Sequence, residues 1–232
     1  MAGRAGQSRA RSKSLTLAII LARAGSKGVP GKNWALIAGK PCVLYTIQAA
    51  QAAQARKTID LVAVSTDDRV VASIADNAGC LCVKRPRECA SDTATVDDAA
   101  RHALSAIEAL TDEVEGGLFD NVVILYANVP VRPAGLIDRA VKVLRSTGCD
   151  SVQSYQPVGK HHPWWTARVD ERSGRVRPWE GAVLNHGVYR RQDLPPAFIP
   201  DGAVIAVTRR ALLRQIKHMG RGTQYYVPRT GA

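Results

Sequence analysis

Hydrophobic and polar positions alternate between two kinds of segment along most of the chain. Short, almost wholly apolar runs predict strands buried on both faces, and the first of these is Thr16 to Ala22. Longer segments with apolar residues at helical spacing lie between such runs, and Ala94 to Leu110 is the clearest. Regular alternation of strands and helices indicates right-handed crossovers and a parallel sheet. The pattern therefore predicts an α/β fold.

The predicted elements follow one another closely until about residue 156. Strands are predicted at 16–22, 59–65, 81–83, 121–126, 150–156 and 203–208, and helices at 42–54, 69–78, 94–110, 136–145 and 210–217. From 157 to about 185, aromatic residues and a Ser-Gly turn predict a small antiparallel excursion from the sheet. We predict one three-layer α/β/α domain with a mainly parallel sheet over 15–232, preceded by a disordered basic tail at 1–14.

Polar clusters follow several of the predicted strands directly. They lie at residues 23–33, 66–68 and 128–132 and at the cation Arg85. The carboxyl ends of parallel strands meet at one edge of a sheet, where open α/β sheets bind their ligands. We therefore expect these clusters to line a single cleft.

The loop after the first strand, A-R-A-G-S-K-G-V-P-G-K-N, combines cations with glycines. Arg23, Lys27 and Lys32 can neutralise an anion, and the glycines let backbone N–H groups approach it closely. The loop is not a Walker loop, because its outer glycines enclose five residues and an asparagine follows its last lysine. Its glycine spacing also differs from the dinucleotide fingerprint. We predict a polyphosphate cradle, with a solvated surface turn as the alternative.

Charge and composition narrow the class of partner. The formal net charge of +12 favours an anionic partner. Nucleic acid is an unlikely partner, because the aromatic and basic motifs of known nucleic-acid modules are absent from the sequence. No apolar run approaches the length of a membrane span, so we expect no membrane partner. The five scattered cysteines favour reduced thiols in a cytoplasmic protein.

The glycine-rich loop resembles the signature A-R-G-G-S-K-G-I-P-G-K-N of the acylneuraminate cytidylyltransferases. That family includes CMP-sialic acid synthetases and the enzymes that activate legionaminic and pseudaminic acids. The similarity continues in order through S-T-D-D at 65–68, R-P-R-E-C-A-S-D-T-A-T at 85–95, P-V-R at 130–132, D-S-V at 150–152, H-H-P at 161–163 and R-R-Q-D-L-P at 190–195. It covers roughly residues 16–208 and implies the fold of the nucleotide-diphospho-sugar transferases.

The resemblance also implies a reaction. The anomeric hydroxyl of a sialic-acid-like 2-keto acid sugar, a nonulosonic acid, would attack the α-phosphate of CTP and release pyrophosphate. It further implies Mg²⁺ as the cofactor and a homodimer in which the excursion reaches the second subunit. Two alternatives remain, namely a non-catalytic homologue that binds a nucleotide or sugar, and a related transferase that uses another sugar or GTP.

Individual site residues are likewise implied by the resemblance. Arg23 and Lys32 would act in catalysis by neutralising the triphosphate. The implied nucleotide-binding set is Leu21, Arg23, Ser26, Lys27, Lys32, Asn33 and Arg85, and the implied sugar-binding set is Tyr126, Asn128, Arg191 and Gln192. Tyr126 and Asn128 stand where the family has glutamine and threonine, which predicts a less common nonulosonate as the sugar.

Metal ligands are not identified by the resemblance. The family binds Mg²⁺ through an Asp-x-Asp stretch near its C-terminal end, whereas no Asp or Glu follows Asp201 here. Three alternatives follow: the nucleotide supplies most oxygen ligands of Mg²⁺, with help from Asp67, Asp193 or Asp201, or the chain is truncated, or its activity is impaired. We assign no metal ligand.

Overall fold

The computed structural model describes residues 14–25, 28–110, 118–214 and 224–228. The strands are β1 (Thr16–Ala22), β2 (Leu36–Ile37), β3 (Lys40–Pro41), β4 (Leu61–Thr66), β5 (Leu81–Lys84), β6 (Asn121–Tyr126), β7 (Ser151–Pro157), β8 (Ala167–Val169), β9 (Val176–Pro178), β10 (Phe198–Thr208) and β11 (Gln224–Pro228). The helices are α1 (Cys42–Ala55), α2 (Arg69–Asn77), α3 (Arg87–Ala90), α4 (Val96–Glu108), α5 (Leu136–Thr147) and α6 (Arg209–Leu213). Of the predicted tail, residues 1–13 lie outside the described ranges, and Ser14 accepts a hydrogen bond from Asn121.

Seven strands form the central sheet, in the order β11-β7-β10-β6-β1-β4-β5. The β10 strand is antiparallel to its neighbours β6 and β7, and the other pairs in this sheet are parallel. In the centre of the sheet, Leu17 of β1 pairs with Leu61 of β4 and with Val122 of β6. The prediction of a mainly parallel sheet is confirmed.

The central strand β1 is buried on both faces, as its unbroken apolar run predicts. Ala18 and Ile20 face the core layer beneath α1, α2 and α5, whereas Leu17 and Ile19 face the layer beneath α4 and α6. Both layers exclude water from aliphatic side chains, which is the dominant favourable term in folding. The predicted three-layer α/β/α arrangement is therefore confirmed.

Helix α4 begins two residues later than its periodicity predicts. Thr95 is the N-cap, and its hydroxyl accepts the backbone N–H of Asp98, whose carboxylate accepts the backbone N–H of Thr95 in return. This reciprocal capping box ends the preceding turn, in which Ser91 accepts the N–H of Ala94. Hydrogen bonds from Thr95 lower the pKa of Asp98 to about 2. The bond from the Thr95 side chain makes the larger contribution and the bond from its backbone the smaller.

The last large strand, β10, differs most from its prediction. It begins at Phe198 rather than at residue 203, and its register against β7 shifts between Pro200 and Ile205. The shift is a bulge centred on Gly202, whose φ of 70° lies in the left-handed region. Proline and glycine are poor strand formers, so the sequence pattern does not reveal the first half of this strand. The short helix α3 and the edge strand β11 were also not predicted.

The excursion contains an antiparallel hairpin, as predicted. Strands β8 and β9 pair at Arg168 with Arg177, and Asp170 accepts backbone N–H groups in the connecting turn. Beside the hairpin, the Trp164 ring stacks on His186 with centroids 4.8 Å apart, and Trp165 donates its indole N–H to the carbonyl of Val188. These contacts give the excursion a small aromatic core of its own.

Two further findings concern the whole of the described chain. None of its helices combines the length and the apolar character that crossing a bilayer requires. All five cysteines lie within the described ranges, and each is a free thiol.

Candidate active site

A cleft of about 400 Å³ lies where β1 and β6 end and α4 begins. It brings together seven of the residues predicted for the site, namely Leu21, Arg23, Lys32, Asn33, Arg85, Tyr126 and Asn128. A second hollow, of about 470 Å³, lies beside it beneath the glycine-rich loop, and both are lined by Ser91 and Asp92. Three of the four predicted strand-end clusters therefore contribute to one cleft, whereas residues 66–68 do not line it.

The glycine-rich loop is held to the sheet by specific hydrogen bonds. Asp67, at the end of β4, accepts the backbone N–H of Ala24 at 2.8 Å, and Asn33 donates its side-chain amide to the carbonyl of Arg23 at 2.9 Å. Gly31 has a φ of 65°, and a Cβ there would lie 2.5 Å from the ring of Trp34. Only glycine fits this position, because any side chain would collide with the ring. The loop thus has a defined shape on both sides of residues 26 and 27.

Arg23 is held in place by an ion pair across the cleft. Its Nη1 donates to the carbonyl of Ser91 and to the carboxylate of Asp92, each at 3.1 Å. Both side chains remain in contact with solvent, with 38% of Arg23 and 52% of Asp92 exposed. Such exposed pairs contribute little stability, so a polyanion can compete with Asp92 for the guanidinium.

Arg85 is a buried cation at the floor of the cleft. Only 6% of the residue is exposed, and its Nε and Nη2 donate to the hydroxyl and the carbonyl of Ser65. Burial lowers the pKa of Arg85, while the negative charge of Asp67 acts in the opposite direction. The guanidinium is thus a nearly buried charge oriented by Ser65, and a buried charge favours a polar ligand.

Tyr126 forms the wall of the cleft opposite the loop. Its phenol is partly buried, and burial raises its pKa, with a smaller contribution from the charge of Asp97. The phenol is therefore neutral at physiological pH and can both donate and accept a hydrogen bond. Asn128 lies two residues further along and also lines the cleft.

The other four predicted site residues are not among the described residues that line the cleft. Ser26 and Lys27 fall outside the described residues. Arg191 and Gln192 occupy a single 3₁₀ turn just after the excursion, are exposed, and do not line the cleft. Their role in sugar binding stays a prediction, because a single chain does not bring them to the nucleotide-binding residues.

The cleft also contains lining residues that were not predicted as site residues. They are Cys89, Ser91, Asp92, Ala94, Thr95, Val96 and Ala99. All but the last two belong to the segment R-P-R-E-C-A-S-D-T-A-T, which is part of the family resemblance. The sequence therefore contained a motif that pointed to this segment as part of the site. The motif alone could not indicate which of its side chains face the cleft, because that depends on the unpredicted helix α3.

The described residues do not form a cage for Mg²⁺. They contain no group of three or more His, Cys, Asp or Glu side chains that could hold a metal ion. The three carboxylates considered from the sequence are each engaged: Asp67 with Ala24, Asp193 with Arg190, and Asp201 with Ser154. This donor set does not fit a metal held mainly by protein carboxylates.

Comparison with known proteins gives a consistent result. The cytidylyltransferase family model matches residues 17–164. The N-acylneuraminate cytidylyltransferase of Streptococcus agalactiae serotype V is 35% identical over 199 residues, which are 86% of this chain and 45% of that protein. The CMP-N,N'-diacetyllegionaminic acid synthase of Legionella pneumophila is 34% identical over 163 residues, which are 70% of this chain and 66% of that protein.

Solved structures agree in fold. The structure of CMP:2-keto-3-deoxy-manno-octonic acid synthetase complexed with CTP superposes with a TM-score of 0.61 at 17% identity, over 94% of this chain and 92% of the other. At that identity the likeness concerns the fold alone. This chain spans about half the length of the N-acylneuraminate cytidylyltransferases it matches, at 45% of the Streptococcus protein.

Proposed function

Since this chain belongs to the cytidylyltransferase family, we propose that it transfers CMP from CTP to the anomeric hydroxyl of a sialic-acid-like 2-keto acid sugar, with release of pyrophosphate. The observation that carries the proposal is the cleft in which Arg23 and Lys32, from the loop after β1, converge with Arg85, from the end of β5. The names of its relatives support a sialic-acid-like sugar as the substrate, because these relatives are an N-acylneuraminate cytidylyltransferase and a CMP-N,N'-diacetyllegionaminic acid synthase.

The residue types suit this reaction. Attack on phosphorus depends mainly on in-line positioning and on neutralising charge on the phosphate oxygens. Arg23 and Lys32 supply partly exposed cations for the triphosphate. Arg85, buried and oriented by Ser65, instead offers a fixed donor to the base or ribose of the nucleotide. No covalent nucleophile is required.

We propose that Mg²⁺ enters with the phosphates of CTP, because the described residues provide no cage for it. We also propose that the protein works in the cytoplasm. Free thiols at all five cysteines fit a reducing compartment.

We propose further that the protein acts as a homodimer joined through the excursion. Val169 and Val176 form one face of the hairpin and are 61% and 52% exposed. An isolated two-stranded hairpin is marginally stable in water, so a second copy of the chain that covers this face would stabilise it. The same contact could bring Arg191 and Gln192 to the cleft of the partner subunit.

The dimer is tested by replacing Val176 with Asp. We expect the sedimentation coefficient to fall from that of a dimer to that of a monomer, because a charge at an apolar interface is costly. Val70→Asp is the matched control, since Val70 is also exposed but lies on α2. If Val176→Asp and Val70→Asp both sediment like the wild type, this mode of association is refuted.

The transfer reaction is tested by following pyrophosphate release with CTP, with and without Mg²⁺, over a panel of nonulosonic acids. We expect release with at least one acid sugar, loss of release in Lys32→Met, and normal release in the surface variant Lys142→Met. Replacing CTP with GTP tests the alternative nucleotide. Binding of CTP by calorimetry without any pyrophosphate would instead support a non-catalytic homologue.

A further inference from the structure

Gly202 lies directly behind the ring of Tyr126. A Cβ at this position would be 2.8 Å from Cδ2 and 3.1 Å from Cε2 of Tyr126. The first distance is shorter than carbon atoms tolerate, so the ring can lie against β10 only because residue 202 has no side chain. Tyr126 also helps to line the cleft.

The backbone around Gly202 cannot easily shift to relieve such a collision. On one side, Asp201 accepts hydrogen bonds from the buried hydroxyl of Ser154 and from the N–H of Ala203. On the other side, the carbonyl of Ala203 accepts from Nε of Arg132 at 2.7 Å. Both neighbours of the glycine are therefore held by hydrogen bonds.

The backbone of Tyr126 is held by the same arginine. Nη2 of Arg132 donates to the carbonyl of Tyr126 at 2.7 Å, and its Nη1 donates to Thr46 and to the carbonyl of Val129. The guanidinium thus fixes the end of β6, helix α1 and the bulge of β10 relative to one another. With both backbones fixed, the side chain of Tyr126 is the part that can move.

We propose that Gly202 is a positioning residue, which keeps the Tyr126 ring against β10 and so keeps the sugar half of the cleft open. This inference rests on the proposed function, because it assigns that half of the cleft to the acid sugar. A side chain at residue 202 turns the ring into the cleft. It thereby narrows the space for the sugar and leaves the nucleotide half, formed by Arg23 and Arg85, unchanged.

The test compares Gly202→Ala with Gly79→Ala. Gly79 has a φ of 71°, close to the 70° of Gly202, but a Cβ there would have no atom within 4 Å. The control therefore carries the same backbone strain without the collision. We expect Gly202→Ala to raise the KM for the sugar about tenfold relative to this control, while the KM for CTP stays within about twofold.

A double variant separates positioning from general destabilisation. In the Tyr126→Ala background the ring is gone, so adding Gly202→Ala should leave the sugar KM at the value of Tyr126→Ala alone. An increase that persists without the ring, or equal increases in the KM values for sugar and CTP, would overturn the inference. Equal sugar KM values for Gly202→Ala and Gly79→Ala would do the same.

Nitration of Tyr126, followed by peptide mapping, tests the ring position without any turnover. We expect faster nitration of this tyrosine in Gly202→Ala than in Gly79→Ala, because the displaced ring gains exposure. Equal nitration rates would overturn the inference. Absence of pyrophosphate release from the folded wild-type chain would count against the proposed function alone, and nitration would still decide the placement of the ring.

Discussion

The cleft and the excursion carry motifs of the same family resemblance, yet they differ in how their side chains are held. In the cleft, Arg85 is buried and bonded to Ser65, and the loop is tied to Asp67. In the excursion the hairpin leaves an apolar face open, and just after it Arg191 and Gln192 are exposed on a short turn. The cleft is thus organised by the single chain, whereas the excursion has the features of a surface that becomes organised on association.

Arg85→Met should have the largest effect, because it removes a buried charge and all of its hydrogen bonds. CTP also loses the donor that Arg85 is proposed to offer to its base or ribose. One hydrogen bond to a charged group contributes roughly 1.5–3 kcal/mol, so we expect CTP binding to weaken by about 100-fold. Calorimetry with CTP measures this, with Arg87→Met on the exposed side of α3 as the control. A change of less than about threefold would show that the preorganised cation does not contact the nucleotide.

Arg191→Ala should have a smaller and different effect. If the excursion completes the sugar site of a partner, the KM for the sugar should rise about tenfold and CTP binding should stay the same. Steady-state kinetics in both substrates measures this, and Arg172→Ala in the hairpin turn is the control. Weaker CTP binding in Arg191→Ala would contradict the assignment of Arg191 to the sugar and of the cleft cations to the nucleotide.

Asp98→Asn tests the rigidity of the cleft wall at the start of α4. The pKa of Asp98 is lowered to about 2 from an ordinary value of 3.8, so its ionised form stabilises the folded state. This contribution is present above about pH 4 and is lost as the pH falls through about 2.

At pH 7 we expect Asp98→Asn to unfold at a lower urea concentration than the wild type. Its free energy of unfolding should be about 0.5–1 kcal/mol lower, as when other helix-capping interactions are lost. The two proteins should converge as the pH approaches 2. Asp76→Asn, at an exposed carboxylate on α2, controls for general loss of charge. A difference that grows towards low pH would contradict the assignment.

Asp92→Asn should have the smallest effect, and its sign is informative. Removing the carboxylate frees Arg23 from an exposed ion pair, so CTP should bind about two- to fivefold more tightly without Mg²⁺. Titrations with and without Mg²⁺ measure this. Weaker binding that occurs only when Mg²⁺ is present would indicate instead that Asp92 contributes to holding the metal.

The sequence predicted the fold and the cleft wherever the relevant contacts are local or follow from strand order. The apolar run at 16–22 became the central strand, and polar residues after β1, β5 and β6 met in one cleft. Both outcomes follow from the geometry of parallel sheets, which requires no knowledge of individual side-chain contacts.

The rest could not be read from the chain because it depends on contacts between distant segments. The ion pair of Arg23 with Asp92 joins residues that are 69 positions apart. The bulge at Gly202 depends on Ser154 and Arg132, and its proline and glycine conceal the strand in which it lies. The role of Arg191 depends on association, which the pattern of a single chain does not describe.

The place of β10 in the sheet has a consequence for folding during synthesis. This strand lies between β6 and β7, but it is synthesised only after the whole excursion. Until residue 208 has emerged, β6 lacks one neighbour, and β7 has none of the antiparallel pairing that joins it to the sheet. Unpaired strand edges are prone to aggregation and long-range pairing is slow. The nascent chain should therefore be most vulnerable while the excursion is being synthesised.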